Sequence, residues 1–312
     1  MQPSGNWKLG LTYSLLTALL WGVLPLALTA LLKRLDPYTI TWARFLVAAI
    51  LLGLFLRRQR RLPKPQTLGQ GTLWLLLATS LALVGNYVLY LIGLDLTNPE
   101  SAQLLNQVSS VFLLLGGVWV FQENLRAVQW WGVVVFLGGL ILFFHRRLET
   151  FFQSDPNYYI GLLILVAASL SWALYGMGQK RLLDWWRSDQ ILVCVYVIAA
   201  VVLAPFSHVS HLVGLDTGQW GLLLFAALNT LIAYGAFAEA LAHWEASRVS
   251  AVLAVTPLFT FLSVRVAEYW KPGYFPREEL DLLSVVGAFA VVAGSILTAL
   301  ARRRIEPVSP PE

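Results

Sequence analysis

The chain has little of what a soluble protein displays on its surface. Only 12% of its residues are charged, about half the share usual in a soluble domain. It has a single cysteine, Cys194, which excludes an internal disulfide framework and a cysteine-based zinc site. No G-x-x-x-x-G-K-[ST] loop is present, so nothing suggests a nucleotide-driven pump. No G-x-S-x-G, no H-E-x-x-H and no pair of acids inside an apolar stretch occurs, so a membrane hydrolase has no visible nucleophile or metal set. Neither an enzyme activity nor a cofactor is expected. Histidine is also scarce. His208 and His211 lie three residues apart with Asp216 nearby, and without a third ligand beside them they read as surface residues.

What the chain does have is apolar bulk. Hydrophobic residues make up 58% of it, with 13 tryptophans, and mean hydropathy is +0.67. These values point to an all-α integral membrane protein in the lipid bilayer. The net charge of +5 sits in short runs between apolar stretches, chiefly Arg57, Arg58, Arg60, Arg61 and Lys64, and Arg302 to Arg304. No aromatics interleave with them, so they read as topology signals and not as a nucleic-acid surface.

A membrane-spanning helix needs about 20 mostly apolar residues. Ten stretches qualify: 9–32, 38–56, 72–94, 101–121, 128–144, 158–182, 190–206, 220–242, 249–267 and 282–301. The first is too long for a signal h-region and lacks a cleavage site, so it is counted as a span. With the N-terminus inside, fourteen of the 22 Lys and Arg fall on the cytoplasmic side and six outside. Excess positive charge marks the cytoplasmic side, so both termini are expected in the cytoplasm of a multi-pass plasma or inner membrane protein.

The two halves match each other. Gly10 and Gly161, Trp21 and Trp172, and Ile40 and Ile191 are each 151 residues apart; Phe112 and Phe259 are 147 apart; Gly132 with Gly287 and Gly139 with Gly294 are 155 apart. Residues 1–150 and 151–312 therefore form two five-helix repeats. Five is odd, so the repeats enter the membrane in opposite orientations, giving ten transmembrane helices as two inverted five-helix repeats.

Several segments carry a family likeness. Trp21-Gly22, Arg44-Phe45, the stretch from Tyr90 through Gly93, Leu94, Thr97 and Ala102, Phe121-Gln122-Glu123, the paired Gly132 and Gly139, Ala246-Ser247 and Thr256-Pro257-Leu258-Phe259 resemble positions of the drug/metabolite transporter superfamily, EamA type. The resemblance covers nearly the whole chain. It implies export of a small organic metabolite. Two positions depart from the pattern: Ser110 stands where a proline is common, and Val195 stands at the repeat partner of Arg44.

Polar groups inside a bilayer are costly and mark pathways or helix contacts. Arg44 lies in the second span, as an anion-binding or gating group or as a side chain reaching the headgroups. Asn86, Tyr90 and Gly93 share one face of the third span. Gln103, Asn106, Gln107 and Ser110 share one face of the fourth. In the second half Asn229, Thr230 and Tyr234 lie mid-span, and Thr256-Pro257 suggests a local break. Trp21, Trp172 and Tyr175 are aromatic but lie mid-span, away from the interfaces. We take Trp21, Arg44, Asn86, Tyr90, Gln103, Asn106, Gln107, Trp172, Tyr175, Asn229 and Tyr234 as candidate substrate contacts. Glu239 is the candidate for proton coupling, with a surface pair to His243 or Arg248 as its other reading. No intramembrane carboxylate occurs in the first span, unlike small multidrug exporters. The expected function is a secondary transporter of a small molecule by alternating access, as monomer or homodimer. The competing class is a non-transporting scaffold or receptor, whose interior polar groups would pair helix to helix and leave no cavity.

Overall fold

The computed structural model describes residues 6–63, 69–121, 127–149, 155–244, 246–278 and 280–300. Lys64, Gln122, Glu123, Arg126 and the Arg302–Arg304 run lie outside the described residues. Thirteen helices occur among them: α1(Trp7–Leu32), α2(Pro37–Arg58), α3(Gln70–Leu96), α4(Pro99–Asn106), α5(Val108–Phe121), α6(Ala127–Phe143), α7(His145–Glu149), α8(Pro156–Leu182), α9(Ser188–Leu203), α10(Thr217–His243), α11(Ala246–Leu253), α12(Thr256–Trp270) and α13(Leu282–Leu300). Helices α4–α5 form one broken span and α11–α12 another. With the 17-residue α6, ten spans result, as the sequence predicts.

Local sequence chemistry sets the helix starts. Asp36, Asn98 and Asp155 cap α2, α4 and α8, each followed by a proline in the first turn. Such a side chain satisfies free amides, and proline there loses no bond. Asp216 caps α10 with Gln219 as the reciprocal partner, a capping box. All four caps lie at the end of the bundle opposite the start of α1, the distal end. Arg57, Arg58, Lys180 and Arg181 close α2 and α8 at the proximal end, where cations complement the helix dipole.

The halves interlock pair by pair: α6 packs on α13, α3 on α8, α1 on α10 and α2 on α9. Glycines let the first pair cross closely. A Cβ on Gly139 would lie 2.8 Å from the Gly287 carbonyl oxygen, and one on Gly132 would lie 3.0 Å from that of Gly294. The repeat-related glycines thus meet across the antiparallel pair.

The two broken spans are repeat partners. A turn at Gln107 separates α4 from α5, and one at Ala254-Val255 separates α11 from α12. Ser109 Oγ donates to the Asn106 carbonyl at 2.6 Å, and Thr256 Oγ1 donates to that of Leu253 at 2.5 Å. These pairs stand at the offset that relates Phe112 to Phe259. Pro257 opens α12, whereas Ser110 takes its place in the first half, so that break forms without proline. Gln107 Nε2 donates to the Ala254 carbonyl at 3.3 Å and joins the two breaks.

The symmetry fails at the ends. At the distal end α4 packs on α12. The repeat-equivalent pair at the proximal end, α5 and α11, has no comparable packing among the described residues.

Candidate substrate cavity

A cavity of about 200 Å³ lies at the centre of the bundle. It is smaller than the roughly 300–1,000 Å³ of drug-sized pockets. Ten of the eleven expected contacts line it: Trp21, Arg44, Asn86, Tyr90, Gln103, Asn106, Gln107, Trp172, Asn229 and Tyr234. Tyr175 is not among the lining residues; it is buried at 2% exposure in the core with Tyr196 and Phe45. Glu239 is not brought there either. Its side chain is 60% exposed and sits 3.9 Å from His243 one turn on. Placing it required knowing which face of α10 looks inward, and the sequence of one helix does not say.

Arg44 defines the electrostatics. It is 4% exposed, and its Nε donates to Thr230 Oγ1 at 3.1 Å. Its guanidinium lies over the Tyr87 ring, 4.6 Å from the centroid, a cation–π contact. No carboxylate pairs with it among the described residues, and four of the five guanidinium N–H donors have no protein partner there. Thr230 itself donates to the Ala226 carbonyl at 3.0 Å, so its oxygen is oriented to accept from Arg44. The sequence marks Thr230 as a mid-span polar residue but not as a contact, and gives no sign of Tyr87; their link to Arg44 crosses between spans.

The remaining polar groups divide into two kinds. Asn86 Nδ2 donates to the Ala168 carbonyl of α8 at 2.9 Å, and Asn229 Nδ2 donates to the Leu20 carbonyl of α1 at 2.8 Å. These are matching bonds between the halves, and they leave Asn229 Oδ1 without a partner. Tyr90 OH donates to Gln103 Oε1 at 3.2 Å. The Asn106 side chain makes no hydrogen bond to the described residues. Aromatic rings complete the wall, with Trp21 edge-on to Tyr234 at 5.5 Å and near Phe237 at 5.9 Å. Toward the proximal end the lining continues through Leu113, Phe237 and the exposed Ser250.

The distal end is closed by a polar cluster just beyond Gln103. Glu278 Oε2 accepts from Asn98 Nδ2 at 2.8 Å, Ser101 Oγ at 3.2 Å and Tyr158 OH at 2.8 Å. Its Oε1 pairs with Arg147 Nε at 2.7 Å. The Glu278 amide donates to Glu100 Oε2 at 2.8 Å. Glu100 is fully buried, and its Oε1 has no partner. The carboxylate beside it pushes the Arg147 guanidinium further up, against the pull of partial burial. Four segments thus meet on one carboxylate. The sequence held one signal for it: the offset pairing Gly132 with Gly287 also pairs Glu123 with Glu278.

Two inverted five-helix halves around a polar central cavity make the architecture of many secondary membrane transporters. The chain belongs to the EamA-like transporter family, whose description matches it twice, at residues 8–145 and 159–300. It is 37% identical to the inner membrane transporter YhbE of Escherichia coli strain K12, over 95% of this chain and 92% of that one. It is equally similar, at 37%, to a transporter of Haemophilus influenzae, over 95% and 96%. A probable amino-acid metabolite efflux pump of Salmonella typhimurium is 23% identical over 90% of this chain and 91% of its own. One solved crystal structure shares the fold, with a TM-score of 0.63 at 18% identity, covering 96% of this chain and 99% of that one.

Proposed function

We propose that the protein exports a small organic metabolite bearing a carboxylate, by alternating access. The observation that carries this reading is Arg44: a buried guanidinium lining the cavity, with most of its donors free and no acidic partner. A carboxylate accepts two such donors side by side. Asn229 Oδ1, one residue from Thr230, is a buried acceptor without a partner, which a turn of the side chain would offer to an ammonium donor on the same solute. Amino-acid metabolites carry both groups, and the name of the Salmonella relative points to that class and to efflux.

Charge and closure are consistent with the efflux that the Salmonella relative's name carries. The basic runs favour a cytoplasmic side for both termini and the proximal end. The cluster on Glu278 then seals the outer side, while the parted α5 and α11 leave the cavity facing inward, as an exporter loads. Exchange of the two halves' roles would close one end and open the other. The cavity also weighs against a scaffold, whose interior polar groups would all be paired. If a proton drives the cycle, Glu100 is better placed than Glu239: it is fully buried, partly unpartnered and one turn from Gln103.

The test is solute exchange in proteoliposomes loaded with a mixed metabolite extract and read by mass spectrometry. Wild-type protein should move amino-acid-like carboxylates and leave their methyl esters. Arg44→Gln should weaken that transport about tenfold or more, the worth of a charge-assisted bond. Asn106→Leu should fold normally and lose comparable activity. Transport of esters and acids alike by wild type and Arg44→Gln would sink the anion reading. Unchanged transport by Asn106→Leu would remove the fourth span from the site.

A further inference from the structure

The distal face carries a second cluster unrelated to the cavity. Asp36, ahead of α2, meets His208 and His211 from the segment between α9 and α10. Asp36 Oδ2 lies 3.3 Å from His208 Nδ1 and 4.0 Å from His211 Nδ1. The three ligand atoms all lie within 4.8 Å of one another. Sequence reading had given these histidines Asp216 as a neighbour. The structure uses Asp216 to cap α10 and supplies Asp36, 172 residues from His208, as the missing third ligand.

We propose that Asp36, His208 and His211 form a divalent transition-metal site of the zinc type that clips the two halves together on the distal face. The donor set is two imidazoles and a carboxylate, the combination zinc uses with one open position for water. Metal–ligand bonds of about 2.0–2.1 Å put tetrahedral ligands about 3.3 Å apart. The His208–Asp36 separation already has that length; His211 lies 4.0 Å from the same oxygen, and with all three atoms inside 4.8 Å a turn of its exposed ring brings it to the ion. Both imidazoles are more than half exposed, at 63% and 54%, so an ion can reach them and the rings can turn.

The surroundings hold the ligands in place. His208 precedes the 3-10 helix Val209–Gly214 and accepts the His211 amide at its carbonyl, 2.9 Å away; the two rings stack at 5.2 Å with 18° between their planes. The His208 amide donates to Thr39 Oγ1 at 2.8 Å, which ties this segment to α2. Asp36 Oδ1 is occupied by the amides of Tyr38 and Thr39, at 3.0 and 2.9 Å. That leaves Oδ2 for the ion, with the Thr39 hydroxyl donating to it at 2.6 Å, the kind of outer support that orients metal ligands.

The experiment is a zinc chloride titration of the purified full chain, carrying no polyhistidine tag, by calorimetry and by thermal unfolding. Wild type should bind one zinc ion per chain and unfold at higher temperature with zinc, because the ion binds the folded form. The double substitution His208→Ala with His211→Ala should weaken binding about tenfold or more and abolish the thermal shift, with unfolding in chelator unchanged. Asp36→Asn keeps a helix cap and should lose zinc likewise, which covers the case of a double variant that folds poorly. Magnesium, which prefers six oxygens, should give no shift. Equal zinc binding by wild type and variants, or no saturable binding by wild type, would overturn the site. Neither result bears on transport, which rests on Arg44.

Discussion

A cation at the centre of a bilayer costs about 2.5–3.5 kcal/mol on insertion scales, so an arginine kept there needs a partner or a wet surface. Arg44 has both a ring beneath it and an open cavity before it. The polar face of the fourth span shows the same division of labour, with Gln107 joining the two breaks and Asn106 left free to the cavity. At the distal surface a different residue offers a pH test. The Ser284 backbone amide, followed by its side chain, Arg146 and His145, holds the Asp281 carboxyl down at about 2 despite an opposing desolvation. An aspartate is ordinarily near 3.9. A carboxyl lowered by folding stabilises the fold above its unfolded value, and that stabilisation is lost as pH falls toward the folded one. Asp281→Asn should therefore lower Tm equally at pH 7 and pH 5, with the gap closing as pH approaches about 2. A gap that persists at pH 2 would mean the contact acts through packing alone.

At the scale of elements, spans are drawn together by what their faces lack. Helices α6 and α13 cross through Gly132, Gly139, Gly287 and Gly294, and lipid supplies no hydrophobic force between helices, so close backbone contact is the attraction available. Gly294→Leu would place its Cβ 2.5 Å from the Phe136 backbone nitrogen. Separation of the pair should cost on the order of 1–3 kcal/mol, seen as a lower unfolding temperature in detergent. Gly138→Leu, on the open side of the partner helix α6 with nothing within 4 Å, should change little. Equal effects of the two would show that helix propensity, and not the crossing, matters.

The whole molecule is a near-symmetric object with one asymmetric feature. The halves pair at α1–α10 and α3–α8 alike, yet α4 meets α12 while α5 and α11 show no comparable packing among the described residues. Under the proposed alternating access, this inequality is one of the two states. In a Cys194→Ser background, Ser250→Cys should react with a membrane-impermeant maleimide applied from the cytoplasmic side, and Gln103→Cys should be silent from outside. Arg147→Ala leaves the Glu278 carboxylate short of its cation and should raise outside labelling of Gln103→Cys about tenfold, since uncovering a buried unpaired charge costs several kcal/mol. Labelling of Gln103→Cys from outside with Arg147 in place would contradict the closed distal end.

The sequence by itself determined the class, the ten spans and the repeat. Those are matters of composition, run length and period, and each span's hydrophobicity is local. Segment ends agree with the helices to within about three residues, because Asp-Pro and Asn-Pro caps are local as well. Most cavity residues were legible for a related reason: a polar group in a lipid-length helix is conspicuous wherever it points. Direction was not legible. Tyr175 lay mid-span like the cavity residues and Glu239 near the inner end of its span, and only packing turned Glu239 outward and Tyr175 into the core. Glu100 with Glu278, and Asp36 with His208, lie 178 and 172 residues apart. Their meeting depends on two inverted halves closing against each other, and no local pattern encodes a contact made by the second half of the chain on the first.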